Sequence, residues 1–392
     1  MTSHGAVEAP VNKGSALARH SILPLGVSDA PGVVPVSLSG DAPIARATSL
    51  KFVSFERTDL EAQKQFLTDF GLVVIESGSA SFHARARGSN SYCVEVRKGK
   101  KNRFTGFGLA VDSKEDFDRL TLVPGAKINQ HLTSPGGGSS VTLRDPAGFE
   151  VSAIFGQQEA APIPANRPVF AVNTVGKPNR VNAENRSIVQ PSHVARLGHL
   201  VLQVADFEIT AQFYMKHFGF IPTDVQYLDN GEPNLAFMRL DLGDQPADHH
   251  TLVVAGGVVN EFEHCAFEVL DLDDVGQGQQ YLKSKGWQHA WGIGRHWLGS
   301  QIFDYWQDPA GAHFEHYTDG DLYDSSAPTR YSPLSRASLY QWGDDLPQSF
   351  AGKPTPAALW ALVKGLLSGA IKMERVKMIM GAMKRKPRPW LK

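Results

Sequence analysis

The chain has 392 residues, which is enough for two or three domains at about 150 residues each. Its 39 Lys and Arg residues balance 40 Asp and Glu residues, and its 42% hydrophobic and 20% charged content is ordinary for a globular protein. This composition excludes disorder along the whole chain and argues against a general nucleic-acid-binding surface. The two cysteines, Cys93 and Cys265, are too few for a disulfide framework or a thiolate zinc site, so we expect a reducing compartment.

The two ends of the chain differ in character from its middle. Residues 1–45 are interrupted by five prolines, which predicts an extended arm without chemistry of its own. They show no secretory signal pattern, and no apolar run of about 18 residues occurs in the chain, so we expect a cytoplasmic protein. Residues 326–392 form a C-terminal extension that ends in a basic amphipathic helix from about Pro356. We expect its Leu359, Val363 and Leu366 to pack on the protein or a sister subunit, with membrane or partner binding as the alternative.

An internal repeat organises the residues between these ends. Apolar strand patterns at 50–55 and 197–202 each lead through an acidic helix start, Asp59 or Asp206, into a helix that closes at a Phe-Gly pair. The two copies therefore begin with the same strand and helix.

Each copy continues with a second, similar unit. The strand patterns at 106–111 and 264–269 precede acidic helix starts, and the Asp-Pro-Ala-Gly turns at 145–148 and 308–311 lead into a final strand. Four units of strand and helix result. We place the two domains at 46–156 and 194–325, joined by a proline-rich linker at 157–193.

Three residues of the second copy fall where the repeat would bring strands together: His199, His264 and Glu315. Two imidazoles and one carboxylate suit a divalent iron site with one open face for substrate and dioxygen. A histidine taken alone is more often a half-buried structural residue, but the joint position of these three residues in the repeat favours a metal site.

The first copy lacks this set. We match its Phe52, Gly106 and Glu150 to the three residues of the second copy, and neither Phe nor Gly offers a side-chain ligand. The 46–156 domain is therefore predicted to be metal-free.

These residues carry a resemblance to a known family. The segments Leu197-Gly198-His199, Asp248 to Thr251, Glu263-His264, and Gly294 to Glu315 with its Asp-Pro-Ala-Gly turn resemble the type I extradiol ring-cleaving dioxygenases of the vicinal oxygen chelate superfamily. The resemblance covers roughly residues 46–325. It implies an α+β fold of paired βαβββ modules in two tandem domains, with the metal in the second domain.

The resemblance also implies roles for individual residues. His199, His264 and Glu315 fall on the family's ligands for Fe(II), with Mn(II) as the other metal that suits them, and His250, His296 and Tyr305 fall on its catalytic residues. Chemistry agrees, because a histidine of near-neutral pKa can take a proton from a catechol and return it to the product. His296 and Tyr305 can donate hydrogen bonds to substrate oxygens. We interpret His249 as a structural neighbour of His250.

Two positions depart from the common family pattern. Asp304 precedes Tyr305, and Trp297-Leu298-Gly299 follows His296. We expect both changes to border the pocket and to affect the substrate without affecting the ligands. They point towards the branch that includes the trihydroxytoluene-type oxygenases.

The sequence thus predicts an extradiol dioxygenase that cleaves a catechol-like ring with O2 in aromatic catabolism. One alternative is another metal-dependent enzyme of the superfamily, such as a hydroxyphenylpyruvate-type oxygenase, a lyase or an isomerase. The other is a binding protein without catalysis. We expect a homo-oligomer with no nucleic-acid partner and no membrane association, and no flavin, haem or nicotinamide motif is visible.

Overall fold

The computed structural model describes residues 33–350, 356–367 and 371–384. Within these ranges, two large mixed sheets carry helices on one side, and two further helices follow near the C-terminus. The first domain contains β1 (Ser49–Arg57), α1 (Leu60–Phe70), β2 (Val73–Glu76), β3 (Ser81–Arg85), β4 (Val94–Lys98), β5 (Arg103–Ala110), α2 (Lys114–Thr121), β6 (Lys127–Asn129), β7 (Ser139–Arg144) and β8 (Glu150–Phe155).

The second domain repeats this order and adds one short strand, β12. It contains β9 (Val194–Val204), α3 (Phe207–Phe218), β10 (Ile221–Tyr227), β11 (Pro233–Arg239), β12 (Ala247–Asp248), β13 (Leu252–Gly256), β14 (Glu261–Val269), α4 (Leu272–Ser284), β15 (Gln288–Arg295), β16 (Ile302–Gln307) and β17 (His313–Thr318). The C-terminal part adds β18 (Leu322–Tyr323), β19 (Arg330–Pro333), a 3₁₀ turn (Arg336–Ser338), α5 (Pro356–Leu367) and α6 (Met373–Lys384).

Each domain is a pair of βαβββ modules that share one sheet. The first sheet has the strand order β2-β3-β4-β1-β5-β8-β7-β6, and the second has the order β15-β16-β17-β14-β9-β13-β11-β10-β19. In both sheets the first strands of the two modules pair antiparallel at the centre, and each also pairs parallel with the last strand of its own module. This architecture confirms the predicted α+β fold with two tandem domains.

The first helix of each domain begins and ends as the sequence predicts. Asp59 accepts a hydrogen bond from the backbone N–H of Ala62, and Asp206 caps α3 in the same way. Gly71 ends α1 at φ 109°, and a Cβ there would lie 2.1 Å from the carbonyl oxygen of Ser192. Glycine at this position therefore serves both the left-handed turn and the close approach of the linker just before β9.

The described part of the arm and the residues after 325 both pack on the second domain. In the arm, the backbone N–H of Val36 donates to Gly231 O. β19 pairs parallel with β10 and adds a ninth strand beyond the predicted domain end at 325. Residues 1–32 lie outside the described residues.

The C-terminal helices give a partial view of the predicted amphipathic tail. α6 packs through Ala382 against Leu228 and Leu334. In α5, Val363 is 46% exposed, while the side chain of Leu359 and the basic end at 385–392 lie outside the described residues. None of the helices in the described ranges combines the length and apolar character that a membrane span requires.

A buried ion pair joins the two domains. The guanidinium of Arg57, at the end of β1, donates to Asp308 Oδ2 at 2.7 Å, and both side chains are almost fully buried. Asp308 belongs to the Asp-Pro-Ala-Gly turn of the second domain. Its other oxygen, Oδ1, accepts hydrogen bonds from the backbone N–H groups of Ala310 and Ala312. In the first domain, Asp145 of the corresponding turn accepts a hydrogen bond from Tyr214 of α3 at 2.6 Å. Each domain therefore anchors the turn of the other.

Arg57→Ala is expected to lower the free energy of unfolding by about 3–5 kcal/mol, because it leaves the Asp308 carboxylate buried without its cation. Chemical denaturation measures this loss. The control is Arg103→Ala, which breaks an exposed ion pair with Glu56 and should cost far less, because water screens that pair. Equal losses in the two variants would contradict the structural importance of the Arg57–Asp308 pair.

Candidate metal centre and active site

Strand register places four site positions in one row across the second sheet. Ala266 of β14 pairs with His199 of β9 on one side and with Glu315 of β17 on the other, and Glu315 in turn pairs with Tyr305 of β16. His264 lies two residues before Ala266 and so faces the same side of the sheet. The small Ala266 side chain leaves room above the strand between the larger groups of its neighbours.

The structure brings His199, His264 and Glu315 together as a group that could hold a metal. His199 Nε2 and His264 Nε2 are 3.4 Å apart and lie 3.3 and 3.2 Å from Glu315 Oε2. Ligand atoms about 2.1 Å from one metal and at right angles to each other are about 3.0 Å apart, so these three atoms fit one face of a metal's coordination shell. Both oxygens of Glu315 are buried without a hydrogen-bond partner, which a bound cation would provide. Among the described residues, this is the group with metal-ligand geometry.

Glu263 supports one of these histidines from behind. The pairing of β14 with β9 shifts register between Phe262 and His264, so Glu263 is the extra residue of a β-bulge. This lets its carboxylate accept a hydrogen bond from Nδ1 of His264. Although burial lowers the pKa of His264, Glu263 and Glu315 raise it above its ordinary value. The arrangement fixes the Nδ1 hydrogen and leaves Nε2 for a metal. Sequence reasoning assigned no role to Glu263, since regular strand alternation would turn it to the opposite face.

His250 lies beside the three-residue group, just before β13. Its ring centroid is 4.2 Å from that of His199, and its side chain is 4% exposed. Burial, together with the neighbouring His199 and His249, lowers the pKa of His250 well below its usual value. The imidazole is therefore neutral near pH 7, as a general base must be.

His296 and Tyr305 flank the group on the other side. His296 Nε2 is 3.0 Å from the Tyr305 hydroxyl and 3.6 Å from Glu315 Oε1, and its Nδ1 donates to the backbone oxygen of Leu339 at 2.7 Å. Burial and Glu315 raise the pKa of Tyr305 well above 10, so its phenol remains a hydrogen-bond donor. Leu339 comes from the C-terminal extension, in which no sequence pattern indicated a contribution to the site.

Aromatic side chains form a wall next to Tyr305. The Trp291 ring stacks on Tyr305 with centroids 5.5 Å apart, and Phe350 meets Tyr305 edge-on at 5.2 Å. Phe303 and Tyr340 complete this cluster. The space on this side of the site is therefore bounded by flat apolar surfaces.

One of the two departures from the family pattern does not lie at the pocket, where the sequence predicted it. Asp304 does not border the site: its carboxylate turns to the other face of β16, where it accepts hydrogen bonds from His289 and Gln279 at 2.8 and 3.0 Å. Strand alternation explains this correction, since residues 304 and 305 must face opposite sides. Gly299, in contrast, packs closely against His249. A Cβ added at Gly299 would lie 3.1 Å from His249 Nδ1.

The first domain lacks the ligand set, but one of the matched residues needs correction. Gly108 pairs with Phe52 and with Ser152, so the counterpart of Glu315 is Ser152 and not Glu150. The distance from each Asp-Pro-Ala-Gly turn gives the same match and was the available sequence signal. Glu150 instead forms ion pairs with Lys127 and Arg144.

Phe52 occupies the space above Gly108. A Cβ on Gly108 would lie 2.2 Å from the Phe52 ring, which also stacks on Tyr92 at 5.1 Å. The Ser152 hydroxyl is hydrogen-bonded to Thr142. A cavity of about 840 Å³ remains in this domain, and no group with metal-ligand geometry is found among its described residues.

Comparison with known proteins agrees with the fold. Residues 196–316 match the model of the Glyoxalase/Bleomycin resistance protein/Dioxygenase superfamily, and this segment contains all six predicted site residues. This part of the chain is therefore similar to that superfamily, in agreement with the resemblance that the sequence shows.

Individual relatives extend the likeness across both domains. Metapyrocatechase 2 from Cupriavidus necator is 27% identical over 331 residues, which cover 80% of this chain and 96% of that protein. The Mn(II)-bound glyoxalase from Novosphingobium aromaticivorans is 23% identical with a TM-score of 0.65, covering 78% of this chain and 94% of its own. An extradiol ring-cleaving dioxygenase from Brevibacterium fuscum is 18% identical with a TM-score of 0.65, covering 81% and 85%. At these identities the solved structures establish the shared fold.

Glu263→Gln is expected to weaken divalent metal binding by about 10- to 100-fold, because the amide is a poorer acceptor for the Nδ1 hydrogen of His264. Competition with a chromogenic chelator measures the affinity. Glu261→Gln is the control, since Glu261 lies on the same strand but bonds to Gln203. Unchanged affinity in Glu263→Gln would contradict the supporting role of Glu263.

Proposed function

We propose that this chain is an extradiol dioxygenase that uses O2 to cleave a catechol-like aromatic ring at a mononuclear non-haem Fe(II) centre. The observation that carries this proposal is the cluster of His199, His264 and Glu315, flanked by His250 on one side and by His296 and Tyr305 on the other. Two imidazoles and one carboxylate on one face suit non-haem iron, and Mn(II) suits the same ligands. The likeness to a metapyrocatechase over most of the chain supports the same activity.

His199, His264 and Glu315 would hold the metal. When bound, it supplies Lewis acidity towards the two substrate oxygens and an electron path between the ring and dioxygen. Both atoms of O2 enter the product, so the overall reaction needs no external reductant. The ring opens next to one hydroxyl-bearing carbon and gives a muconic semialdehyde-type product.

The surrounding side chains hold and move protons. His250, neutral and buried, takes a proton from a substrate hydroxyl and returns it as the ring opens. Tyr305 donates a hydrogen bond from its phenol to a substrate oxygen, where negative charge develops. His296 is held by Leu339 O and by Tyr305, so it is oriented before substrate enters.

The shape of the site favours a planar substrate. Trp291 and Phe350 flank Tyr305 and offer apolar contact to an aromatic ring, while the metal ligands and Tyr305 provide polar contacts at one edge.

We also propose a homo-oligomer in the cytoplasm, on the sequence argument alone.

Oxygen uptake by the Fe(II)-loaded protein across a panel of catechols and trihydroxybenzenes tests the proposal. Stoichiometric O2 consumption with a yellow ring-opened product is the expected result. Substrate turnover without O2 consumption would instead indicate an isomerase or lyase. Metal-independent ligand binding without turnover would indicate a binding protein.

Each chain is expected to bind one catalytic metal. His199→Ala, His264→Ala and Glu315→Ala should each remove the metal and end activity, since each deletes one ligand of a three-residue set. Metal analysis with activity assays measures both effects. Glu150→Ala and Ser152→Ala are the matched controls in the first domain and should leave metal content intact. Two metal equivalents per active chain, or ring cleavage by Glu315→Ala, would contradict the assignment.

His250→Gln is expected to lower kcat by about two to four orders of magnitude while metal content stays near that of the wild type. The reason is that His250 acts on substrate protons and is not among the three converging ligands. Steady-state kinetics with parallel metal analysis separates the two effects. Loss of metal in this variant would place His250 among the ligands and refute its proposed role.

A further inference from the structure

Four side chains, three of them buried, form a continuous chain of hydrogen bonds that ends at His250. The guanidinium of Arg330 donates to Asp224 Oδ2, and the same oxygen lies 2.7 Å from His249 Nε2. His249 Nδ1 lies 2.9 Å from His250 Nδ1. Asp224 and His249 are fully buried, and His250 is nearly so. Hereafter the hydrogen-bond chain means these four residues.

The direction of these hydrogen bonds follows from which atoms have hydrogens to donate. Arg330 can only donate, so Asp224 Oδ2 is an acceptor, and an ionised carboxylate accepts from His249 as well. His249 Nε2 therefore carries a hydrogen. Since the charge of Asp224 is already balanced by Arg330, a neutral His249 leaves this buried group without net charge. A neutral imidazole with its hydrogen on Nε2 has a lone pair on Nδ1.

The consequence falls on His250. The contact between the two Nδ1 atoms requires one donor and one acceptor, and His249 Nδ1 is the acceptor. His250 must then carry its hydrogen on Nδ1. Its other ring nitrogen, Nε2, is left with a free lone pair.

We propose that His249 and Asp224 are positioning residues that fix the ring hydrogen of His250 on Nδ1, so that Nε2 is always ready to accept a substrate proton. The use of that lone pair rests on the proposed dioxygenase function, whereas the arrangement of hydrogens does not. A buried carboxylate that orients an imidazole through one ring nitrogen is an established catalytic device. Here a second imidazole lies between the carboxylate and the base.

The surroundings hold the hydrogen-bond chain rigidly. The backbone N–H of His249 donates to Asp321 O at 2.9 Å, and Gly299 packs against the His249 ring. Arg330 is fixed by a hydrogen bond to the Tyr323 hydroxyl at 2.7 Å and by the pairing of β19 with β10, which aligns Arg330 with Asp224. The hydrogen-bond chain therefore depends on residues that lie beyond the repeat.

Histidine ring ¹⁵N shifts test the proposal in full-length, ¹⁵N-histidine-labelled protein with diamagnetic Zn²⁺. The two residues are assigned from His250→Gln and His249→Phe spectra. We expect hydrogen on Nδ1 and a lone pair on Nε2 for His250, and the reverse for His249. A His250 hydrogen on Nε2, or a doubly protonated His249, would overturn the proposal. Neither of these ¹⁵N measurements requires enzyme activity.

His249→Phe tests the cause, because it keeps a ring of similar size and removes the acceptor nitrogen. The His250 shifts should move to values averaged between the two tautomers, and kcat should fall about 10- to 100-fold with KM and metal content unchanged, less than in His250→Gln. His289→Phe is the matched control, since His289 also bonds to a buried carboxylate, that of Asp304, on the other face of β16. Unchanged His250 shifts in His249→Phe would overturn the role of His249. Expected shifts in a wild-type protein that cleaves no catechol would refute the proposed function alone.

Discussion

The register between β9, β14, β17 and β16 is the constraint on which the site depends. It aligns His199, Ala266, Glu315 and Tyr305 across four neighbouring strands, so that their side chains emerge on the same face. A slip of one residue in any pair would turn that strand's functional group to the opposite face. The antiparallel pairing at the centre and the parallel pairings beside it are fixed by the module order. The fold thus determines the site geometry before any ligand is present.

The two domains show how one scaffold supports different outcomes. At the row that holds the ligands in the second sheet, the first sheet has Phe52, Gly108 and Ser152. The Phe52 ring covers Gly108, and the Ser152 hydroxyl is satisfied by Thr142. A metal site needs all its donors at once, while a packed sheet needs only that the space be filled and polar groups be paired. The Arg57–Asp308 and Tyr214–Asp145 contacts keep both domains in one structure despite this divergence.

Buried charge is concentrated in the second domain and is balanced there locally. Glu315 lies against His199 and His264, Glu263 bonds to His264, and Asp224 pairs with Arg330. Glu315 and Asp224 are removed from water, so each must be paired or must bind a ligand. The C-terminal extension contributes to this balance, since it supplies Arg330 and the Leu339 carbonyl that holds His296. The functional unit is therefore larger than the repeat that forms its framework.

The sequence by itself determined the repeat, the helix caps at Asp59 and Asp206, the α+β class and the six residues that the structure brings together. The repeat and the caps follow from local patterns and from turns such as Asp308 to Gly311, whereas the α+β class and the catalytic residues were implied by the resemblance to a known family. Tertiary structure decided the rest. Strand pairing replaced Glu150 with Ser152 as the counterpart of Glu315, and strand alternation turned Asp304 away from the site. A bulge in β14 brought Glu263 to His264, and contacts between residues 25 to 106 positions apart linked His249 and Arg330 to Asp224. The contacts of Asp224 depend on which strands become neighbours, and a linear pattern carries no signal for that, whereas the match of Ser152 to Glu315 could have been found from its distance to the turn.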